Sequence, residues 1–142
     1  MPRIPAVAAA GNRDNIQLPL AAGQTFKTGS FVVYTAGAIQ ECGADPASIY
    51  GISTGVAGMN PVDPAKCIVY KAFEGQKFWM QASSDPAAAN RGVSYGVAKD
   101  ADGIWYVDFT DTVATRVYVH DVDTDTKRVL VSVLEANRQV AP

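Results

Sequence analysis

Apolar and polar residues alternate in short runs along most of the chain, and turn-forming residues separate the runs. Successive side chains of a strand point to opposite faces of its sheet, so each alternating run predicts a half-buried β-strand. Residues 23–43, GQTFKTGSFVVYTAGAIQECG, are typical of this pattern. A β-rich run at residues 31–34, the turn Thr35-Ala36-Gly37 and a second run at 38–42 predict a β-hairpin.

Three more hairpins are predicted downstream. They pair residues 67–73 with 77–82, 93–98 with 104–109, and 116–120 with 128–134. The last pair is the clearest, because a polar loop, Asp-Thr-Asp-Thr at residues 123–126, joins two strongly alternating runs. About eight to ten short strands at this spacing predict a sandwich or a barrel.

Two residues mark irregular positions within the predicted strands. Pro19 lies in the alternating run at residues 16–20, and because proline donates no hydrogen bond to a neighbouring strand, it predicts an edge strand. Gly51 lies in the run at residues 49–52, where a glycine indicates a bulge or the close passage of another backbone.

Helix signals are confined to DPAAANRG, residues 85–92, where an aspartate precedes proline and a glycine follows the end. They predict one or two helical turns. Residues 1–14 are rich in alanine and proline and predict an extended arm. The predicted fold is therefore all-β: a compact β-barrel or jelly-roll-like sandwich over residues 15–142, with an extended N-terminal arm and at most one short helix.

Composition narrows the function classes. The chain has 142 residues and a net charge of −2, and only 18% of its residues are charged, a low share that is typical of proteins that oligomerise. Basic residues form no patch interleaved with aromatic residues, so we expect no nucleic-acid partner. No apolar run approaches the ~18 residues of a membrane span, and the first 15 residues lack the apolar segment of a signal peptide, so we expect no membrane association.

Candidate chemistry is sparse. Cys42 and Cys67 form no CxxC pair and are interpreted as free, buried thiols of a protein made in a reducing compartment. The GxSxG motif at residues 92–96 leads into a loop rather than a helix, which indicates a strand serine instead of a nucleophile. The acidic turn at residues 121–125 lacks the glycine and glutamate of an EF-hand, although a looser calcium site there stays open. We expect no enzymatic activity, cofactor or metal.

Two aromatic dipeptides are candidates for a binding surface. In Phe78-Trp79 and in Trp105-Tyr106, adjacent side chains face opposite sides of a strand, so one ring of each pair can enter the core while the other faces out. An outward ring is typical of a subunit interface or of a sugar-binding platform. All four residues are therefore candidate subunit-interface aromatics.

The opening stretch carries a family resemblance. The pattern Gly23-x-x-Phe26-x-x-Gly29-x-Phe31-Val32-x-x-x-x-Gly37-x-Ile39, followed by Ile49-x-Gly51-Ile52-Ser53, resembles the N-terminal half of small decoration (cement) proteins of tailed bacteriophages. Residues 103–108 and the hairpin at 116–134 are similar to these proteins in style.

The resemblance implies a structural virion protein. A decoration protein binds the outer surface of an assembled capsid, contacts the major capsid protein and stabilises the shell, and the resemblance implies a homotrimer made in the host cytoplasm. The arm residues Arg3, Ile4, Pro5, Val7 and Arg13 are then expected to contact the shell or a neighbouring subunit. The alternative is a carbohydrate- or ligand-binding β module of a phage or bacterial surface structure that uses Trp79 or Trp105.

Overall fold

The computed structural model describes Arg3, residues 5–10, residues 15–73 and residues 75–139, and these residues form an all-β fold of two antiparallel sheets. The predicted fold class is confirmed. The strands are β1 (Val7–Ala10), β2 (Asn15–Pro19), β3 (Phe31–Thr35), β4 (Ala38–Glu41), β5 (Gly51–Ser53), β6 (Lys66–Lys71), β7 (Lys77–Gln81), β8 (Ser94–Lys99), β9 (Trp105–Asp108), β10 (Val117–Asp123) and β11 (Arg128–Val133).

Each sheet curls toward a barrel. The six-stranded sheet has the order β1-β7-β11-β10-β8-β9, and a bridge from Ala82 to Val107 draws the end of β7 toward β9. The five-stranded sheet has the order β2-β6-β5-β3-β4, and a bridge from Leu20 to Ile39 draws β2 toward β4. The last bridge is reinforced by a hydrogen bond of 2.9 Å from Ala21 N to the carbonyl oxygen of Ile39.

Two hydrophobic cores lie on opposite faces of the five-stranded sheet. Phe31 and Val32 are adjacent on β3, and both are completely buried. Because neighbours on a strand point to opposite faces, this is possible only where both faces are covered. Phe31 packs in a large core with side chains of the six-stranded sheet, whereas Val32 packs in a small core with Phe26, Ile39 and other residues of its own sheet. The large core therefore joins the two sheets.

Three of the predicted hairpins are confirmed. β3 pairs with β4, β8 pairs with β9, and β10 pairs with β11. In the first hairpin, Ala36 and Gly37 have φ angles of 52° and 79°. Positive φ at both central residues is what a two-residue type I′ turn requires, and this turn matches the twist of the flanking strands.

The predicted hairpin between residues 67–73 and 77–82 is wrong. β6 pairs with β2 and β5 in one sheet, whereas β7 pairs with β1 and β11 in the other. The connection between them crosses from sheet to sheet, and Gln76 in this connection is 1% exposed, unlike a residue at a hairpin tip. The short polar segment between the two runs includes Gly75, and such residues suit a hairpin and a crossover alike, so the sequence alone did not distinguish the two.

The remaining local predictions are mostly confirmed. β2 lies at the end of the sheet order, as Pro19 predicts, with β6 as its full-length partner. The helix signals at residues 85–92 give a single 3-10 turn at Ala88–Asn90, where Asn90 Oδ1, rather than Asp85, accepts the backbone N–H of Ala87. A second 3-10 turn spans Glu135–Asn137, and neither helix is long enough to cross a membrane.

Both chain ends contribute to the packed structure. β1, within the predicted arm, pairs antiparallel with β7, and Ala6 is buried in the large core. After β11, Gln139 reaches the five-stranded sheet, where its side chain accepts a hydrogen bond of 2.9 Å from Tyr34 N and donates one of 2.6 Å to Tyr34 O. The C-terminal segment therefore ties the end of the six-stranded sheet to β3.

Candidate interaction surfaces

The two aromatic dipeptides place one ring inward and one outward, as predicted. Phe78 and Trp105 are 0% and 3% exposed, whereas Trp79 and Tyr106 are half-buried on the opposite faces of their strands. Phe78 and Trp105 therefore have no surface to offer a neighbouring subunit, and their assignment as interface candidates is corrected. Trp79 and Tyr106 remain candidates.

Trp105 connects the two sheets. Its ring stacks on Phe31 of β3 with ring centroids 5.3 Å apart and planes 15° apart. Its Nε1 donates a hydrogen bond of 2.9 Å to Glu41 Oε2, and Glu41 Oε1 accepts one of 2.8 Å from Lys99 Nζ. A buried indole needs such an acceptor. The Glu41 carboxylate therefore accepts the hydrogen bond of the buried indole and also forms an ion pair with the half-exposed Lys99. Because its ring is buried, Trp105 cannot act as a sugar platform in this conformation.

We expect Glu41→Ala to lower the free energy of unfolding by about 1–3 kcal/mol, because it leaves the buried indole N–H without its acceptor. Glu41→Gln is the matched control, since its amide oxygen can still accept from Trp105 while the ion pair with Lys99 is lost. Partly exposed ion pairs contribute at most about 1 kcal/mol, so the control should lose much less. Urea unfolding followed by tryptophan fluorescence measures both. Equal losses in the two variants would contradict the assigned role of the indole hydrogen bond.

The described arm residues lie against the chain's own domain. The Arg3 guanidinium sits 3.8 Å from the centre of the Tyr106 ring and donates a hydrogen bond of 3.2 Å to Asp100 Oδ2. Partial burial alone would raise the pKa of Asp100, but hydrogen bonds from Ile104 N, Arg3 and Asp102 N hold that pKa below its ordinary value. Pro5 is half-buried and Val7 faces outward. Ile4 and Arg13 lie outside the described residues.

The outer face of β7, β10 and β11 carries a mixed aromatic and polar surface. Trp79 lies opposite Val7 and Leu130, with the Arg128 guanidinium 5.6 Å from its ring centre. On β10, Tyr118 contacts His120 edge to face, and His120 Nε2 lies 2.8 Å from Ser132 Oγ. Burial, with a smaller effect of the Lys77 charge, lowers the pKa of His120. The basic side chain over Trp79 leaves this ring a poor platform for a sugar.

A cleft of about 500 Å³ lies at the junction of the two sheets. It is lined by Cys42, Gly43, Ala44, Asp45, Val97, Ala98, Lys99, Trp105, Asp108 and Asp111. Two of its aspartates have partners in the chain: Asp108 Oδ1 accepts hydrogen bonds from Thr110 N and Oγ1, and Asp111 Oδ1 accepts from Ala114 N at 2.9 Å. These aspartates stabilise the turn after β9.

The motifs weighed for catalysis and metal binding form ordinary β structure. Ser94 of the GxSxG motif opens strand β8 and pairs with Tyr118. Asp121 Oδ1 accepts a hydrogen bond of 2.8 Å from Arg91 Nε, which lowers the pKa of Asp121. Asp123 Oδ1 accepts from the N–H of Asp125 within the turn. Among the residues that the structure describes, no three His, Cys, Asp or Glu side chains are grouped to hold a metal ion.

The most exposed apolar segment was not predicted. We call residues 54–62, TGVAGMNPV, the apolar loop. It follows β5, contains no charged residue, and exposes Val56, Met59 and Val62, the last two by 72% and 79% of their surface. The sequence could have indicated this exposure. Glycine, asparagine and proline in this segment disfavour a strand, so its apolar side chains are not placed in the core by strand alternation.

Hydrogen bonds hold the apolar loop in one conformation. Asn60 is 8% exposed, and its Oδ1 accepts a hydrogen bond of 2.9 Å from Val62 N while its Nδ2 donates one of 3.2 Å to Gln17 Oε1 of β2. The Ala57 N–H donates to the carbonyl oxygen of Phe26 at 2.9 Å. The buried Asn60 amide is hydrogen-bonded through both its oxygen and its nitrogen, and it anchors the loop beside the small core. The side chains of Val56, Met59 and Val62 therefore face solvent.

Comparison with protein-family models, with curated proteins and with solved structures finds no significant match.

Proposed function

We propose that this chain is a capsid decoration protein, a structural component of a bacteriophage virion. It binds the outer surface of the assembled shell through the major capsid protein, acts as a homotrimer and stabilises the shell, with no catalytic step. It is made in the host cytoplasm and ends on the capsid surface.

The main support for the proposal is the structural role of the residues on which the family resemblance rests. Gly23, Gly29 and Gly37 all adopt positive φ, a conformation that glycine reaches at little cost. The apolar positions of the same pattern are core residues: Phe26, Val32 and Ile39 lie in the small core, and Phe31, Ile49 and Ile52 in the large core. The resemblance therefore rests on positions that specify the curled five-stranded sheet, which supports a shared compact β fold.

The surface supports a role in protein assembly. Large exposed apolar groups in a charge-poor region favour contact with another protein surface, and the apolar loop supplies three of them on a rigid support. Many copies on one shell would also act multivalently, so that a modest contact per copy suffices for stable attachment.

Binding to shells tests the proposal directly. Purified protein is mixed with assembled shells of the major capsid protein of the encoding phage that lack it, and the shells are recovered by gradient sedimentation. We expect the protein to co-sediment at a fixed, saturable number of copies per shell and to raise the temperature at which the shells disrupt. Unassembled major capsid protein is the matched control and should bind less, because the site is formed on the shell.

Failure to saturate assembled shells, at concentrations where the protein remains folded by circular dichroism, would overturn the proposal. Binding to a glycan array under the same conditions would then favour the carbohydrate-binding alternative.

A further inference from the structure

We propose that the peptide bond between Asp45 and Pro46 is a self-cleavage site, at which the Asp45 carboxyl group attacks its own carbonyl carbon while Arg116 stabilises the charge that develops. The cleavage is a single event in each chain and not the turnover of a separate substrate. The inference is independent of the proposed function.

The chain contains three Asp-Pro bonds, at Asp45, Asp63 and Asp85, and alanine follows the proline in each. A carboxyl group is a nucleophile, and an aspartate side chain can close a five-membered ring on its own carbonyl carbon. The tertiary nitrogen of proline accepts a proton readily as it leaves. Because the three bonds share this local chemistry, a difference in their reactivity has to come from the fold.

The Asp45 carboxyl group is the one that is free to react. Asp45 is exposed and lines the cleft at the junction of the two sheets, and within the described part of the chain no hydrogen bond or ion pair engages its carboxylate. Asp63 Oδ1 instead accepts a hydrogen bond of 3.0 Å from Ala65 N, and Asp85 Oδ2 lies 3.7 Å from Lys127 Nζ.

Arg116 contacts the carbonyl group that would be attacked. Its Nη2 donates a hydrogen bond of 3.1 Å to the carbonyl oxygen of Asp45, whereas the carbonyl oxygen of Asp63 accepts the neutral N–H of Lys66. No carboxylate forms an ion pair with Arg116 among the residues described, so its charge is not neutralised there. A cation placed in advance at an oxygen that becomes negatively charged lowers the barrier to attack.

The fold fixes this donor in position. The Arg116 backbone N–H donates to the carbonyl oxygen of Tyr95 at 2.8 Å, and its own carbonyl oxygen accepts from Leu134 N at 2.9 Å. Pro46, on the far side of the bond, is buried. The guanidinium group therefore needs little reorganisation to follow the reaction.

The Asp45 backbone is strained. Its φ of 47° lies in the left-handed region, which residues other than glycine rarely adopt, and a following proline favours extended backbone at the preceding residue. Asp63 and Asp85 are not among the described residues with positive φ. Breaking the bond removes the restriction that proline imposes, so cleavage relieves strain at this bond alone of the three.

The proposed reaction is a hydrolysis in two steps. The Asp45 carboxyl oxygen bonds to the Asp45 carbonyl carbon, the bond from that carbon to the Pro46 nitrogen breaks, and the carboxyl proton passes to this nitrogen. Asp45 is left as a cyclic anhydride. Solvent water then opens the anhydride to two carboxyl groups, so the net reaction consumes one water molecule and oxidises nothing.

The two products stay in one folded molecule. Strands β2 to β4 precede the bond and β5 to β11 follow it, and β3 pairs with β5 while β2 pairs with β6 across the break. Cleavage is therefore visible as separate chains, residues 1–45 and 46–142, only under denaturing conditions.

Intact-mass measurement under denaturing conditions tests the site, with the other two Asp-Pro bonds as internal controls. The protein is incubated in mildly acidic buffer in which circular dichroism shows it folded, and in the same buffer with urea. We expect the folded protein to break after Asp45 at least about tenfold faster than after Asp63 or Asp85, a modest effect for an oriented charge. In urea the three bonds should break at similar rates.

Two pairs of variants separate the roles of the residues. Arg116→Gln should slow cleavage after Asp45 at least about tenfold in the folded protein and leave it unchanged in urea. Lys99→Gln, which removes a cation that lines the same cleft without contacting this carbonyl, should leave the rate unchanged. Asp45→Glu should abolish the enhancement, since glutamate would need a six-membered ring, whereas Asp63→Glu should not affect cleavage at Asp45.

Three results would overturn the inference. They are a folded protein that breaks after Asp45 no faster than at the other two bonds, an excess at Asp45 that persists in urea, and equal slowing by Arg116→Gln and Lys99→Gln. Because the readout is chain mass, it does not depend on whether the protein binds shells.

Discussion

Replacing Phe31 with alanine is expected to lower the free energy of unfolding by about 3–5 kcal/mol, the range measured for large aromatic residues in protein cores. Phe31 is completely buried, stacks on Trp105, and is the fully buried residue of β3 in the large core that joins the two sheets. A domain of this size is stable by only about 5–15 kcal/mol, so the loss would leave the variant marginally folded. The cavity would lie between the sheets, where neither can collapse into it alone.

Urea unfolding measured by circular dichroism tests this expectation, and tryptophan fluorescence, from Trp105 and Trp79, gives a second signal. Ile16→Ala is the matched control, because Ile16 is 37% exposed on the edge strand β2. Surface substitutions of this kind usually change stability by about 0.5 kcal/mol. A loss for Phe31→Ala no larger than that of the control would contradict the view that the large core holds the two sheets together.

Gly51→Ala is expected to cost about 3 kcal/mol or more, at the upper end for overpacking a core. A Cβ atom on Gly51 would overlap the carbonyl oxygen of Tyr70 and would lie 2.9 Å from Val69 Cγ1. Tyr70 belongs to β6, which pairs with β5 next to this position, so relief requires the two strands to separate. The added methyl group therefore disrupts the centre of the five-stranded sheet.

Gly43→Ala is the control for Gly51→Ala, since no atom lies within 4 Å of the Cβ that it would add and its backbone is not in the left-handed region. Alanine there should be neutral or stabilising by up to about 1 kcal/mol through the unfolded chain. Thermal unfolding followed by calorimetry compares the two variants. A Gly51→Ala protein that melts at the temperature of the Gly43→Ala protein would show that β5 and β6 can move apart at little cost.

Local sequence signals predicted much of this fold correctly. The β3–β4 hairpin followed from the turn Thr35-Ala36-Gly37 between a β-rich run and a second run, and the edge position of β2 followed from Pro19. The close passage of a backbone at Gly51 was likewise anticipated from a glycine inside a strand. Each of these features depends on the backbone preferences of a few adjacent residues, and those preferences can be read from the residue types alone.

The candidate surfaces were predicted less well. Strand alternation indicated that one ring of each aromatic pair would be buried, but it could not say which, and Trp105 proved to be held inside by Phe31 and Glu41. The exposure of Met59 and Val62 was missed, because whether an apolar loop residue is covered depends on what packs over it. Shell binding and the trimer remain proposals.

The amino-acid sequence by itself determined most of the strands, most of their turns and the all-β class, since these follow from side-chain alternation and from the backbone preferences of glycine and proline. Only the tertiary structure decided that the chain crosses between sheets after β6, that Gln139 ties the C-terminal segment to β3, and that β3 is buried on both faces. These features depend on which distant surfaces pack together to remove apolar area from water, and no short stretch of residues specifies that choice.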